Sequence, residues 1–297
     1  TGRPVRADTI PVTMVIPADG PSFGIPIIVA STAIEQWSSR HGAHPDYPTT
    51  VRLRQTAVGL NFADVYVRTG LYATTLPAVM GQEAAGVVSF DGSMFHSQRA
   101  VGLIGDTFSR RSVIDGLPGH AAIGHNRYST TGASMLRNVQ PLFADFAFGG
   151  LAVAHNGNLT NAMGLRRRLV EEGSLFQSTS DTEVIIHLIA RSQRQSIVER
   201  VVDALRAVEG AWSLVALFDD CILGGRDPLG VRPLVLGRLD DAWILASETC
   251  ALDILGAEFV RDVEPGEIVI IDGEGVHSIH PFAVEPRRFC IFEYVYF

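Results

Sequence analysis

The run Leu151-Ala152-Val153-Ala154-His155, continued by Asn156-Gly157-Asn158-Leu159-Thr160-Asn161, reads as a short β-like segment closed by Asn-Gly, a turn signal. Another β-like run precedes it at Ala121–His125, and helical patterns follow it. Ser180-Asp181-Thr182-Glu183 has the S-x-x-E form of a capping box, in which Ser180 and Glu183 satisfy each other's backbone donors. Val184, Ile185, Leu188 and Ile189 then form an apolar stripe at helical spacing. Ile197, Val198, Val201, Val202 and Leu205 form a second stripe, ended by Gly210. Strands return at Trp212–Phe218, Leu234–Gly237, Trp243–Ala246 and Ile268–Ile271. Strands, then helices, then strands predict an α+β fold rather than regular βαβ alternation.

The chain before this region has a different character. Residues 1–50 are rich in Pro, Thr and Ser and read as irregular. His41, Gly42, His44, Pro45 and Asp46 form a polar loop; its two histidines lack a third ligand, so no metal site is expected there. Val51-Arg52-Leu53-Arg54-Gln55-Thr56-Ala57-Val58 alternates with period two and is strand-like.

The 297 residues suffice for one large domain or two smaller ones, and 46% hydrophobic with 19% charged residues is ordinary for a soluble globular chain. The net charge of -8 argues against a nucleic-acid partner. Arg166, Arg167 and Arg168 cluster, but Glu171 and Glu172 follow within a turn, so a solvated helix face is expected. The most apolar early stretch, Ile25 to Ile34, is broken by Pro26, Ser31 and Thr32 and is too short to span a bilayer. No charged start leads into an apolar run, so no secretory leader is expected. Three cysteines, Cys221, Cys250 and Cys290, make neither a disulfide framework nor a zinc spacing, which predicts a cytoplasmic location.

Four loops carry residues suited to chemistry. In Gly124-His125-Asn126-Arg127-Tyr128-Ser129-Thr130-Thr131-Gly132, the Arg127 fork fits a carboxylate and the hydroxyls add donors; a surface turn with an ion pair is the plainer alternative. In Ala154–Asn161, the Asn156 amide beside the Gly157 N–H can aim two donors at one point, as an oxyanion hole does, or can simply mark a turn. In Ser178-Thr179-Ser180-Asp181, Asp181 either grips an ammonium group or only stabilises a helix start. Gly225-Arg226-Asp227-Pro228-Leu229-Gly230-Val231-Arg232-Pro233, joined by Ser247-Glu248-Thr249, reads as a structural turn.

Taken in order, these loops describe a site for an amino acid whose side-chain carbonyl is attacked. Together with Gly81-Gln82-Glu83-Ala84-Ala85-Gly86, Val139-Gln140-Pro141-Leu142-Phe143, Ser247–Asp253 and Phe292–Phe297, they resemble the glutaminase domain of the amidophosphoribosyltransferase family over roughly residues 81–297. The resemblance implies an N-terminal-nucleophile hydrolase fold, a four-layer αββα sandwich with two antiparallel sheets between helices. It implies that glutamine is hydrolysed by an N-terminal cysteine whose α-amino group is the general base, supplying ammonia to make phosphoribosylamine in the first step of purine synthesis. Carried over by position, Arg127 binds the α-carboxylate of L-glutamine, Asp181 its α-ammonium, Asn156 and Gly157 form the oxyanion hole, and Thr130 lines the pocket.

The sequence departs from that family at its start. The nearest echo of the family's Cys-Gly-x-Phe-Gly-Ile segment is Ser22-Phe23-Gly24-Ile25, which puts Gly20 at the nucleophile's position, and no cysteine precedes Cys221. Residues 51–88 instead resemble the catalytic domain of quinone oxidoreductase, the two resemblances meeting at Gly81–Val88, and no Gly-rich nicotinamide-binding turn is present. The expected organisation is therefore residues 1–50 irregular, 51–80 oxidoreductase-like, 81–280 a glutaminase domain, and 281–297 the start of a connection to a phosphoribosyltransferase half. The sheet is expected to lack the family's first strand and so to expose an unpaired edge. The expected function is a transferase-family glutaminase domain inactive as written, with a non-catalytic glutamine- or partner-binding module and a quinone oxidoreductase fragment as alternatives. No cofactor is expected in this chain. Magnesium and an iron–sulfur cluster enter the family through the other half, where Cys290 matches a cluster ligand but one cysteine holds none. No membrane partner is expected, and a homo-oligomer is compatible with the sequence.

Overall fold

The computed structural model describes residues 11–15, 27–30, 37–38, 50–55, 83–102, 104–128, 135–283 and 285–288. Sixteen strands and six helices are described. Six strands build one sheet, in the order β16 (Gly275–Ile279), β15 (Ile268–Asp272), β11 (Cys221–Arg226), β10 (Gly210–Leu217), β9 (Gly149–Leu159) and β8 (Leu142–Phe146). Seven build a second, in the order β14 (Glu258–Asp262), β12 (Val235–Leu239), β13 (Ala242–Ala246), β2 (Ile27–Ala30), β7 (Ala121–Tyr128), β5 (Glu83–Phe90) and β6 (Phe95–Val101). A small third sheet pairs β1 (Pro11–Val15), β4 (Thr50–Gln55) and β3 (Trp37–Ser38).

Period-two alternation assigns the layers. Along β9, Leu151 and Val153 pack with the helices α3 (Ala162–Glu171), α4 (Thr182–Arg191) and α5 (Ile197–Ala207), whereas Ala152 and Ala154 face the second sheet. Along β10, Leu214 and Ala216 take the helix side and Val215 and Leu217 the sheet side. On the second sheet, Leu245 of β13 and Leu236 of β12 point into the inter-sheet core. Their neighbours Ile244, Ala246 and Val235 cover α6 (Thr249–Leu255) on the outside. The result is helices, sheet, sheet, helix: the αββα sandwich. Each fully buried Leu or Ile in these layers contributes roughly 1.5–3 kcal/mol. Two short helices, α1 (Ile104–Phe108) and α2 (Arg111–Asp115), connect β6 to β7.

Several local expectations change in three dimensions. Ser180 and Glu183 form no capping box: Asp181 caps α4 by accepting from Thr182 N. Glu183 turns back to accept from Gln177 N, Ser178 N and the Ser178 hydroxyl at 2.7, 2.8 and 2.6 Å, closing the loop before the helix. The capping box present is Ser196 with Glu199, at the start of α5. The second stripe ends at Ala207, and Gly210, at φ +118°, opens β10 instead. Arg166 is not a solvated charge: its guanidinium lies 4.1 Å over the Phe176 ring and donates to the Ser178 carbonyl. Arg168 does face solvent, 3.9 Å from Glu172.

The edge expected to be open in the second sheet is covered. Strand β2 sits between β13 and β7 and runs parallel to both, with Ile27 beside Ala122 and Ala30 beside His125. Strand β4 overlaps the alternating stretch read from Val51 onward, but it pairs with β1 and β3.

Candidate active site

The site forms where β9 outruns its neighbour β8. The two pair only as far as Leu142 and Val153, so the second half of β9 has a free edge on that side. Side chains from other segments occupy most of it. Gln140, buried just before β8, accepts from the His155 N–H at 2.7 Å and donates to the His155 carbonyl at 3.3 Å, acting as a one-residue extension of the strand. Four residues on, the Leu159 N–H donates to Asp181 Oδ2 at 3.0 Å. Because of these contacts β9 runs straight through Asn156-Gly157 to Leu159; the expected turn is absent.

Gly157 lies on the same edge, between those two contacts. Its partner on β10 is Trp212, whose own N–H and carbonyl bond to Asp227 on the far side. Gly157 therefore directs its N–H away from β10, as His155 and Leu159 do. It is exposed, at φ +137°, and a Cβ there would sit 2.1 Å from the Ala211 carbonyl oxygen. Only glycine fits.

Asn156 is 7% exposed. Its Oδ1 pairs at 3.0 Å with His125 Nε2 from β7, a geometry that fits an Nε2–H donor. Among the described residues no acceptor contacts its Nδ2. Arg127 lies two residues beyond His125 on β7, its backbone paired with Ala84 of β5. The structure thus brings Asn156, Gly157 and Asp181 to one edge and places Arg127 at the same end of the neighbouring sheet. Thr130, Gly20 and Cys290 lie outside the described residues, as does the His41–Asp46 loop.

Asp181 is held rigidly. Oδ1 accepts from Thr182 N at 3.0 Å while Oδ2 holds Leu159, and the carboxylate keeps 28% of its surface open. His155 Nδ1 lies 4.0 Å from Asp181 Oδ1 and 3.3 Å from the Thr182 hydroxyl. Burial pushes His155 below the ordinary histidine range, against the pull of Asp181 and of the Ala211 carbonyl. The ring is neutral at pH 7 and does not neutralise the neighbouring carboxylate as an ion-pair partner. Asn138, also buried, fixes the approach loop by accepting from Thr179 N at 2.9 Å and donating to its hydroxyl. His125, Asn138 and Gln140 were not singled out as functional in the sequence; Val139-Gln140-Pro141 stood out only by resemblance.

The remaining loop is structural, as its turn chemistry predicts. The Arg226 guanidinium donates to the carbonyls of Arg232, Val263 and Gly230 at 2.8–2.9 Å. Asp227, fully buried and raised above the ordinary carboxylate range by that burial, accepts backbone N–H groups from Trp212, Leu229 and Val231.

The two described thiols are poor nucleophiles. Burial and Asp220 push Cys221 well up, and burial with Glu248 pushes Cys250 up to about 12. Cys250 is half-buried and donates to Glu248 at 3.3 Å. Among the described residues no group of three His, Cys, Asp or Glu is arranged to hold a metal ion, and the two described thiols, Cys221 and Cys250, do not fit an iron–sulfur cluster. No described helix is long and apolar enough to cross a membrane.

Comparison with known proteins places this geometry. Residues 125–253 match the family described as glutamine amidotransferase domain. An amidophosphoribosyltransferase from Rhizobium etli is 53% identical over 222 residues, which cover 73% of this chain and 45% of that protein. A chloroplastic amidophosphoribosyltransferase from Glycine max is 49% identical over 223 residues, 73% of this chain and 38% of that protein. The chain thus spans less than half the length of these relatives. Among solved structures, the glutamine phosphoribosylpyrophosphate amidotransferase of B. subtilis, complexed with ADP and GMP, superposes with a TM-score of 0.68 at 41% identity, covering 72% of this chain and 46% of that one. Residues 47–102 also match the alcohol dehydrogenase GroES-like domain. The end of that match is β5 and β6, which the structure builds into the seven-stranded sheet beside β7.

Proposed function

We infer that this chain carries the glutamine amidotransferase domain of an amidophosphoribosyltransferase, over residues 81–280, and that the domain binds L-glutamine at the free edge of β9. The observation that carries this reading is a pair of donors that no acceptor among the described residues engages, Asn156 Nδ2 and the Gly157 N–H, beside the partly open carboxylate of Asp181.

The roles follow from charge and geometry. Asp181 takes the α-ammonium of the substrate and Arg127 its α-carboxylate, two charge-assisted contacts that select an L-amino acid end group. By its resemblance to the family, Thr130 is assigned to the pocket lining. The side-chain amide then points at Asn156 and Gly157. Attack on its carbonyl carbon moves an electron pair onto oxygen, and two fixed donors stabilise that developing oxyanion without reorganising. A neutral His155 beneath Asp181 adds no competing cation.

Among the described residues no thiol is poised to attack. The residue matching the family's nucleophile is Gly20, and Cys221 and Cys250 sit in environments that suppress the thiolate. The chain as written therefore binds glutamine without hydrolysing it, and transfer of ammonia to a phosphoribosyl acceptor belongs to a further half of the kind its relatives' greater length accommodates. A reductase role is not proposed, because part of the reductase-like segment is used as sheet in the amidotransferase fold. The test is ammonia release from L-glutamine, measured beside equilibrium binding. Binding without release is expected. Sustained release would overturn the loss of hydrolysis, and absence of binding would overturn the site itself.

A further inference from the structure

His125 approaches Asn156 from the other sheet, and the pair joins β7 to β9 by a hydrogen bond at the site. Both are buried, at 6% and 7% exposure. An amide has two chemically opposite ends, and rotation by half a turn exchanges them at almost no steric cost. Turned the other way, Asn156 would present its oxygen to the substrate carbonyl and repel the oxyanion it is required to stabilise. Something must therefore decide which end faces the pocket. Gln140 cannot, since both ends of its amide are engaged by the His155 backbone.

We propose that His125 is a positioning residue that sets the orientation of the Asn156 amide: an Nε2–H donated to Asn156 Oδ1 turns the Nδ2 donor toward the substrate's side-chain carbonyl. The inference deepens the glutamine-site reading and rests on it. His125 touches no substrate; it acts through Asn156. Its placement on β7, two residues before Arg127, also ties the oxyanion donor and the proposed carboxylate clamp to one strand, so the distance between the two ends of the substrate is set by β7 and β9 together.

The experiment compares L-glutamine with L-norvaline by calorimetric titration of the whole chain. Norvaline keeps the amino-acid end and replaces the side-chain amide by a methyl group, so the ratio of the two affinities reads the contribution of the side-chain amide. A neutral hydrogen bond of 0.5–1.5 kcal/mol predicts a preference for glutamine of about twofold to tenfold in the parent. His125→Phe is expected to reduce that preference to what the Gly157 N–H alone supports, while leaving norvaline affinity unchanged. His125→Gln, which places an amide N–H near the Nε2 position, is expected to restore it. A merely structural role would lower both affinities together and would not be rescued by the donor. If His125→Phe keeps the glutamine preference, the positioning role is wrong while the glutamine site stands. If the parent itself shows no preference for glutamine over norvaline, the reading of the site fails and the inference falls with it.

Discussion

Gln140 holds His155 through both ends of its amide, accepting from the backbone N–H at 2.7 Å and donating to the carbonyl at 3.3 Å, although fifteen residues separate them in the chain. This contact replaces the strand that β8 does not supply, and it keeps Asn156 and Gly157 within β9 beyond the end of β8.

Replacing Gln140 by Leu leaves a buried backbone donor and acceptor without partners. Each costs about 1–3 kcal/mol, so a loss of roughly 2–6 kcal/mol in urea unfolding is expected. A loss below about 0.5 kcal/mol would show that β9 needs no such support.

Two glycines on neighbouring segments should respond to alanine with opposite signs. At Gly157 the new Cβ meets the Ala211 carbonyl oxygen at 2.1 Å with φ at +137°, and Gly157→Ala should destabilise by more than about 2 kcal/mol. At Gly164, inside α3, nothing lies within 4 Å of the new Cβ, and Gly164→Ala should stabilise by up to about 1 kcal/mol. Melting temperatures of the two variants check this; equal shifts would contradict the described backbone at Gly157.

Acid should weaken the fold through its buried histidines. His155 and His187 are both held below their ordinary range, chiefly by burial. Between that lowered value and about 6.5 the native state binds fewer protons than the unfolded chain, so stability rises with pH across the window. Their contribution is fully present above about pH 6.5 and is lost as pH falls toward the folded value. NMR titration should find the His155 midpoint below 6.5. A His155 midpoint at or above 6.5 would contradict the burial described.

The thiols should resist alkylation. With Cys250 pushed up to about 12, only about one molecule in ten thousand carries its thiolate at pH 8. Peptide mapping after iodoacetamide treatment should find Cys221 and Cys250 unmodified in native protein and modified after denaturation. Rapid native labelling of Cys250 would reopen the question of a substitute nucleophile.

The layers were legible wherever one residue pattern met one kind of surface. The stripes Val184–Ile189 and Ile197–Leu205 became α4 and α5, and the apolar runs of β9, β10, β13 and β15 became strands of the two sheets. Strand β11 escaped reading because it carries Gly224 and Gly225, weak strand formers placed there so that Leu245 and Trp212 can pack close. The Asn-Gly pair read as a turn because the contacts that straighten it, to Gln140 and Asp181, come from 15 and 22 residues away. The same long reach hid His125, whose partner Asn156 is 31 residues distant. Local pattern found Asn156, Gly157 and Asp181 as candidates, but only the register of β9 with β8 and β10 shows that they share an edge.

The most direct test of the glutamine site is calorimetric titration of the whole chain with L-glutamine and D-glutamine, repeated on Arg127→Ala and Asp181→Asn. The asparagine variant keeps an acceptor for the Leu159 N–H but loses the one that caps Thr182 N, so its melting temperature is read beside its affinity to separate binding from folding. Charged hydrogen bonds of about 1.5–3 kcal/mol predict weak binding selective for the L form, reduced at least tenfold by either substitution. If L- and D-glutamine bind alike, or if both variants bind as the parent does, Arg127 and Asp181 do not hold the ends of an amino acid and the proposed site is wrong.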